Sequence, residues 1–254
     1  MNLKDRMRSG DFCVGPFLKA GSAALIEVMG YAGLDFAILD MEHGPLSYEA
    51  LEHQVLAAER VGLAPIVRVE AITESAIMRP LDKGAAGLIV PHVDSAAMAE
   101  NVIRFSRFGP QGERGMDIYA RAAQYGHMPK QEYLRKANEG TVLALQIEGA
   151  EGMCHLDEIL AAADCDVIFV GPYDLSQSLG VPGEINHPNV LQAVEQIVEK
   201  VRAADRHVGI YADDVETARR WIDVGVQFIA LSVDTAIYYQ ACKRLVADLR
   251  NPQA

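Results

Sequence analysis

A closed (β/α)8 barrel is the fold this sequence predicts, and three observations predict it. Short runs rich in Val, Ile and Leu alternate with longer segments of helical period, the pattern of parallel strands joined by crossover helices. Eight such units fit into 254 residues, the size of one barrel. The joints from helix to strand repeat an apolar helix end, a Gly or Asp and an apolar strand, as in Gly33-Leu-Asp35, Gly84-Ala-Ala-Gly87 and Gly225-Val-Gln227, and these are C-cap signals. A doubly wound open sheet is the alternative, but no G-x-G-x-x-G follows the first strand.

The first unit pairs a strand at 12–18 with a helix at 23–32 that Gly33 ends. The second strand, 36–41, runs into Asp40-Met-Glu42-His43-Gly-Pro45 before a helix at 48–61. The third, 64–69, carries a fixed cation, Arg68, inside an apolar run and precedes a helix at 74–83 with Asp82 near its end. The fourth, 87–90, is short and apolar and leads to a helix at 95–105. The rhythm then breaks. Residues 109–140 form an insertion that begins Gly109-Pro-Gln-Gly-Glu-Arg-Gly115 and has helical period only at 130–138. Such a length is uncommon in a compact domain unless it is a lid, a binding loop or an oligomer contact. It is expected to contribute to the rim of the active site.

The fifth strand, 142–148, splits by the two-residue period into Leu143, Leu145 and Ile147 on one face and Val142, Ala144, Gln146 and Glu148 on the other. A strand buried on both faces is apolar throughout, so two polar groups at its end mark a site. A helix at 152–162 follows. The sixth strand, 167–170, ends in Gly171-Pro172-Tyr173-Asp174 and leads to a helix at 188–204. The seventh, 207–212, and the eighth, 228–233, lead to helices at 215–224 and 236–249. No linker composition divides the chain, so residues 1–254 are read as one domain.

The chain is 50% hydrophobic and 23% charged, enough apolar material for a large core. Its net charge of −12 disfavours nucleic acid and anionic membranes, which need a basic footprint. The opening residues have no apolar signal-peptide core and no run is long enough to span a bilayer, so a cytoplasmic protein is expected. Cys13, Cys154, Cys165 and Cys242 show no C-x-x-C spacing and are expected to be buried thiols.

Barrel enzymes react at the C-terminal ends of their strands, and the titratable residues gather there. If strands five and six are parallel neighbours roughly 4.8 Å apart, Glu148 and Asp174 can reach one cation. Two carboxylates without an adjoining His or Cys suit a hard ion that keeps its waters, such as Mg2+ or Mn2+. The competing view makes them caps or first-turn acids of the following helices. Arg68 is either the ion-pair partner of a neighbouring acid or a planar fork for a substrate carboxylate. His43, beside Asp40 and Glu42 on a Gly-Pro turn, is suited to proton transfer with an acid orienting its ring; a lone His is otherwise structural. Asp82 reads from spacing alone as surface. Lys19 is the only lysine at the rim, which disfavours imine chemistry. The ends of strands seven and eight, Tyr211-Ala-Asp-Asp214 and Ser232-Val-Asp-Thr235, are acidic and lack glycine, which disfavours phosphorylated substrates.

The ordered motifs Asp40-Met-Glu-His-Gly-Pro45, Pro65-Ile-Val-Arg-Val69, Gly87-Leu-Ile-Val-Pro91, Gly112-Glu-Arg-Gly115, Leu145-Gln-Ile-Glu-Gly149 and Phe169-Val-Gly-Pro-Tyr-Asp-Leu-Ser176 together resemble the HpcH/HpaI family of class II pyruvate aldolases. The resemblance runs from about residue 10 to 245. It implies a TIM barrel with a swapped C-terminal helix, assembled as a hexamer (a trimer of dimers). It implies a divalent metal, Mg2+, Mn2+ or Co2+, on Glu148 and Asp174. Arg68 would bind the pyruvate carboxylate and enolate with Gln146 beside it, and Gly171, Pro172 and Tyr173 would contact substrate. His43 would move a proton with an acid partner; Asp40 and Asp82 both match family acids, Asp82 serving a neighbouring subunit. Arg121 would gate the distal end of the substrate. Tyr211 stands where relatives acting on dicarboxylic substrates are expected to carry a smaller aliphatic group. The implied reaction is reversible cleavage of a 4-hydroxy-2-oxo acid to pyruvate and an aldehyde. Two alternatives are a citrate-synthase-type condensation of oxaloacetate with an acyl-CoA and a non-catalytic 2-oxo acid binder.

Overall fold

The computed structural model describes residues 3–250. Strands β1 (Cys13–Leu18), β2 (Phe36–Asp40), β3 (Ala64–Arg68), β4 (Gly87–Val90), β5 (Val142–Ile147), β6 (Val167–Val170), β7 (His207–Ala212) and β8 (Phe228–Val233) pair in sequence order, all parallel, and β8 closes on β1. Each strand lies within a residue of its expected bounds. β5 and β6 are neighbours, the condition on which Glu148 and Asp174 could share a cation, and β2 sits against β3 with Asp40 opposite Arg68.

Helices α2 (Ala23–Tyr31), α3 (Tyr48–Arg60), α4 (Glu74–Asp82), α5 (Ala96–Ser106), α10 (Pro188–Ala203) and α11 (Val215–Asp223) form in the expected places on the outside of the sheet. Their starts have local causes. Ser22, Ser47, Thr73, Ser95 and Asp214 are N-caps whose side chains accept the backbone N–H three residues on. Gly84 and Gly225, with φ of +94° and +98°, turn the chain back to the next strand in a conformation that a Cβ would penalise. The expected helix at 152–162 is broken at His155 into α7 (Ala150–Cys154) and α8 (Leu156–Ala162). Three short elements were not expected: α1 (Leu3–Arg8), a 3-10 turn at Arg121–Gly126, and α9 (Pro172–Ser178).

The period of two in the strands divides the core. Leu143, Leu145 and Ile147 face the helices, in one cluster with apolar faces of α3, α4 and α10. Val142 and Ala144 face inward, where Phe36, Phe169 and Phe228 fill the barrel and α1 adds Leu3 and Met7. Phe36 stacks on Phe228 at 4.1 Å between centroids, and Phe17 meets Phe169 edge-on at 6.3 Å nearer the C-terminal end. The aromatic filling thus makes a floor on which polar groups at the strand ends can stand. Of the cysteines only Cys13 and Cys165 are buried; Cys154 is exposed and Cys242 half-buried, so burial of all four is corrected. No helix among the described residues is long and apolar enough to cross a membrane.

The 109–140 insertion lies at the opposite end of the barrel from the one expected. Arg107 donates to the carbonyls of Asn138 (2.7 Å) and Thr141 (3.2 Å), and Asn138 brackets the backbone of Phe108, tying the two ends of the insertion together. Its own small core, Phe108, Ala123 and Tyr133, packs with α6 (Lys130–Gly140). The reason is topological. A segment between a helix and the next strand starts and ends on the N-terminal face of a parallel barrel, whereas the rim belongs to strand-to-helix loops. Finally, α12 (Asp234–Arg250) stands off the barrel: only Asp234 is buried, and Ile237, Tyr238, Leu245 and Leu249 are exposed. Asp234 fastens the seam between β8 and β1 by accepting the backbone N–H groups of Lys19 (3.0 Å) and Ala20 (2.8 Å).

Candidate active site

Arg68 ends β3 with its side chain inward, and Phe17 of β1 lies under its guanidinium at 4.6 Å. The β2–β3 register brings Asp40 alongside, so Nε and Nη2 of Arg68 donate to the two carboxylate oxygens of Asp40 at 2.9 and 2.7 Å. Asp40 is fully buried and Arg68 is 8% exposed. Burial alone would raise the Asp40 pKa, but the Arg68 hydrogen bonds and charge outweigh it and hold the carboxyl below its ordinary range. Nη1 of Arg68 lies 3.1 Å from Glu42. Of the two readings of Arg68, the ion pair is present, and the same side chain also lines a cavity.

Asp40 also accepts the backbone N–H groups of Glu42 (3.2 Å) and His43 (3.3 Å), which shapes the turn beyond β2. Gly44 is required there, since a Cβ would stand 2.2 Å from the Asp40 carbonyl oxygen. The His43 ring is exposed and its nearest acid is Glu42, with Nε2 at 3.9 Å. Asp40 holds the backbone of His43 and leaves its ring free.

Glu148 follows β5 and is 4% exposed. One oxygen, Oε1, accepts the backbone N–H of His92 at 2.9 Å and lies 3.0 Å from Nδ1 of the same residue. The other, Oε2, is hydrogen-bonded by the Gln146 amide and faces Gly171, where a Cβ would come within 2.7 Å of it. Burial raises the Glu148 pKa; Gln146 and His92 oppose this, and the negative charge of Asp174 adds to it. Gly171 caps α9 without a side chain, Pro172 opens the helix and Asp174 sits in its first turn. Arg68, Gln146, Gly171 and Asp174 line one cavity of about 220 Å3, and Phe17, Tyr173 and Tyr211 form its aromatic wall. Tyr173 and Tyr211 both donate to Asp213, at 2.8 and 3.1 Å. Burial first, and then Asp213, pushes the Tyr173 hydroxyl up to about 12.

These residues fit a divalent cation. Glu148 is a buried carboxylate with an acid for a neighbour and no lysine or arginine on it, and the Gly171 cradle keeps its Oε2 clear on the side of α9. The buried Gln146 Oε1 has no hydrogen-bond partner and can receive one from a ligand. Among the described residues no cluster of three or more His, Cys, Asp or Glu is arranged as a cage. A site with few protein ligands, all oxygen, suits ions that keep waters and admit substrate oxygens.

Two expected site residues lie elsewhere in this chain. Asp82, at the last turn of α4, accepts from Arg114 at 2.7 Å, and burial raises its pKa in spite of that partner. Arg121 is bound to Glu59 of α3 and to the carbonyl of Lys83 at 3.0 Å. Both are on the N-terminal side, beside a larger cavity of about 670 Å3 that Arg114 and Arg121 help to line. The structure also gives Glu42, named from the sequence only as an acid beside His43, a wider role, and it brings in His92, which the sequence reading passed over. Glu42 links Arg68 to His92, its Oε1 lying 3.2 Å from His92 Nε2. His92 had one available signal: it is the first polar side chain past the end of β4, the position that supplied the other rim groups.

Comparison with known proteins bears on the family and the fold. Residues 14–241 match the family model described as HpcH/HpaI aldolase/citrate lyase. A 2-keto-3-deoxy-L-rhamnonate aldolase from Escherichia coli is 34% identical over 245 residues, 96% of this chain and 91% of that protein. An HpcH/HpaI aldolase/citrate lyase family structure from Burkholderia cenocepacia superposes with a TM-score of 0.92 at 33% identity, covering 98% of each chain. The citrate synthase SbnG superposes with a TM-score of 0.90 at 33% identity, covering 99% of this chain and 98% of that one.

Proposed function

The chain belongs to the HpcH/HpaI aldolase/citrate lyase family and is a carbon–carbon lyase, and we propose that it reversibly cleaves a 4-hydroxy-2-oxo acid into pyruvate and an aldehyde. The observation that carries this reading is one cavity in which Arg68 and Gln146 stand beside Asp174, with Glu148 Oε2 packed against Gly171 of its lining. A divalent cation held by Glu148 and Asp174, with Mn2+, Mg2+ and Co2+ as the candidates, supplies Lewis acidity toward the 2-oxo acid.

The chain's own groups then have definable work. Arg68 donates two N–H groups to Asp40 and keeps Nη1 3.1 Å from Glu42, and its remaining N–H groups can hold the substrate carboxylate and the charge that grows as the C3–C4 bond breaks. Gln146 has an open carbonyl for a substrate or water donor. His43 takes the C4 hydroxyl proton, with Glu42 as the nearest acid and Asp40 fixing the turn that carries it. The ring faces of Tyr173 and Tyr211 close the wall against which the substrate packs. Asp82 and Arg121 can act only on a neighbouring subunit's substrate. The unpartnered apolar face of α12 supports a helix-swapped dimer within a hexamer. We place the enzyme in the cytoplasm, with small molecules as its only ligands.

The similarity to a citrate synthase favours one second reading, condensation of oxaloacetate with an acyl-CoA at the same residues. The two separate in one assay. Purified protein with Mn2+ receives pyruvate and a panel of aldehydes, followed by NMR, or oxaloacetate and acetyl-CoA, followed by thiol release. Aldol products that vanish with EDTA are expected. Thiol release without aldol product would replace the proposal with the second reading, and full aldol activity in exhaustively chelated protein would remove the metal.

A further inference from the structure

On the metal site proposed above, we infer that His92 is a positioning residue that sets the metal affinity of Glu148 and couples that carboxylate, through Glu42, to Arg68. His92 follows Pro91 at the end of β4 with a φ of +55°, the left-handed region that a residue with a Cβ occupies at a cost. The conformation turns both its backbone N–H and its ring toward the same place: the N–H donates to Glu148 Oε1 at 2.9 Å and Nδ1 lies 3.0 Å from that oxygen. Its other ring nitrogen lies 3.2 Å from Glu42 Oε1, and Glu42 Oε2 lies 3.1 Å from Arg68 Nη1. One imidazole therefore spans the group proposed to hold the cation and the group that braces the carboxylate clamp.

The geometry has a direct consequence for ligation. With Oε1 engaged from the β4 side, the Glu148 carboxylate cannot rotate freely, and Oε2 is the oxygen left toward Gly171 and the helix that carries Asp174. An oxygen fixed in advance loses less freedom when a cation arrives. Partners of this kind, one bond behind the ligand, typically change metal affinity or activity by about 10- to 100-fold when removed. His92 touches neither cation nor substrate in this assignment; it acts through Glu148 and Glu42.

The test separates the ring from the strained backbone. Mn2+ is titrated calorimetrically into EDTA-stripped, dialysed full-length wild type, His92→Asn and His92→Gly. Asn tolerates the left-handed conformation and Gly adopts it freely, so both variants keep the backbone bond and lose the ring. Both are expected to bind Mn2+ roughly 10- to 100-fold more weakly, with the melting temperature of the metal-free protein unchanged and kcat recovering at saturating Mn2+. Wild-type affinity in both variants would overturn the inference, as would a kcat that stays low at saturating metal. If wild type itself binds no Mn2+, the metal reading falls and takes this one with it; binding by wild type with unaltered variants removes His92 alone.

Discussion

Arg68→Ala should damage the fold as well as the chemistry, and the size of the effect follows from the burial of its partner. The side chain makes two charge-assisted hydrogen bonds to Asp40, which is 0% exposed, and a third contact to Glu42. Removing one member of a buried ion pair leaves an uncompensated charge and costs about 3–5 kcal/mol. At about 2–4 °C per kcal/mol for a chain of this size, Tm should fall by about 6–20 °C. Scanning calorimetry of the metal-free protein measures it. Adding Asp40→Asn should recover at least half of the loss, because Asn can still accept the N–H groups of Glu42 and His43 without a charge to desolvate. In activity, loss of a bidentate charged contact of about 2–4 kcal/mol lowers kcat/KM for the 2-oxo acid by roughly 30- to 1000-fold. A Tm within about 2 °C of wild type, less than about 1 kcal/mol, or a double variant melting below Arg68→Ala, would refute the account.

Asp40 has a pKa held below its ordinary range, so its pairing stabilises the fold above about pH 4 and the contribution is lost as pH falls through the folded value. Tm measured from pH 7 down to 3 should drop less steeply in Asp40→Asn. Gly171→Ala places a Cβ 2.7 Å from Glu148 Oε2 at an unstrained backbone position. It should fold normally and bind Mn2+ about 10- to 100-fold more weakly, and an unaltered titration would show that Oε2 is not the ligand oxygen. Borohydride with pyruvate should leave no adduct by mass spectrometry, because the one rim lysine, Lys19, is turned to Asp40 at 3.7 Å; a stable mass increase on Lys19 would reverse the class of the enzyme.

Much of this molecule was legible because burial on two faces leaves few choices. Strands β4 and β6 are apolar throughout, and the Gly and Ser/Thr punctuation between units is enforced by the caps of α2 to α5 and by Gly84 and Gly225. Gln146 and Glu148 stood out because they interrupt such a strand. What escaped was decided by partners in space. The Asp40–Arg68 pairing depends on a register that spacing along the chain does not carry. His92 follows an apolar strand and a proline and reads as ordinary loop. The α9 helix is 7 residues long, too short for a period to declare itself. The insertion was expected at the active-site rim because its length suggested a lid, a binding loop or an oligomer contact, while the order of helix and strand alone dictates its face of the barrel.

Asp40, Arg68, Glu42, His92 and Glu148 form an unbroken line of side chains across the ends of four adjacent strands. Groups that share partners in this way do not contribute additively; their coupling runs to about 0.5–3 kcal/mol per pair. Evolution of the site is therefore rugged: the benefit of a replacement at one of these positions depends on which residues already stand at the other four. Drift toward a new substrate is easier along the Tyr173–Asp213–Tyr211 wall, which shares no hydrogen bond with that line, than within it.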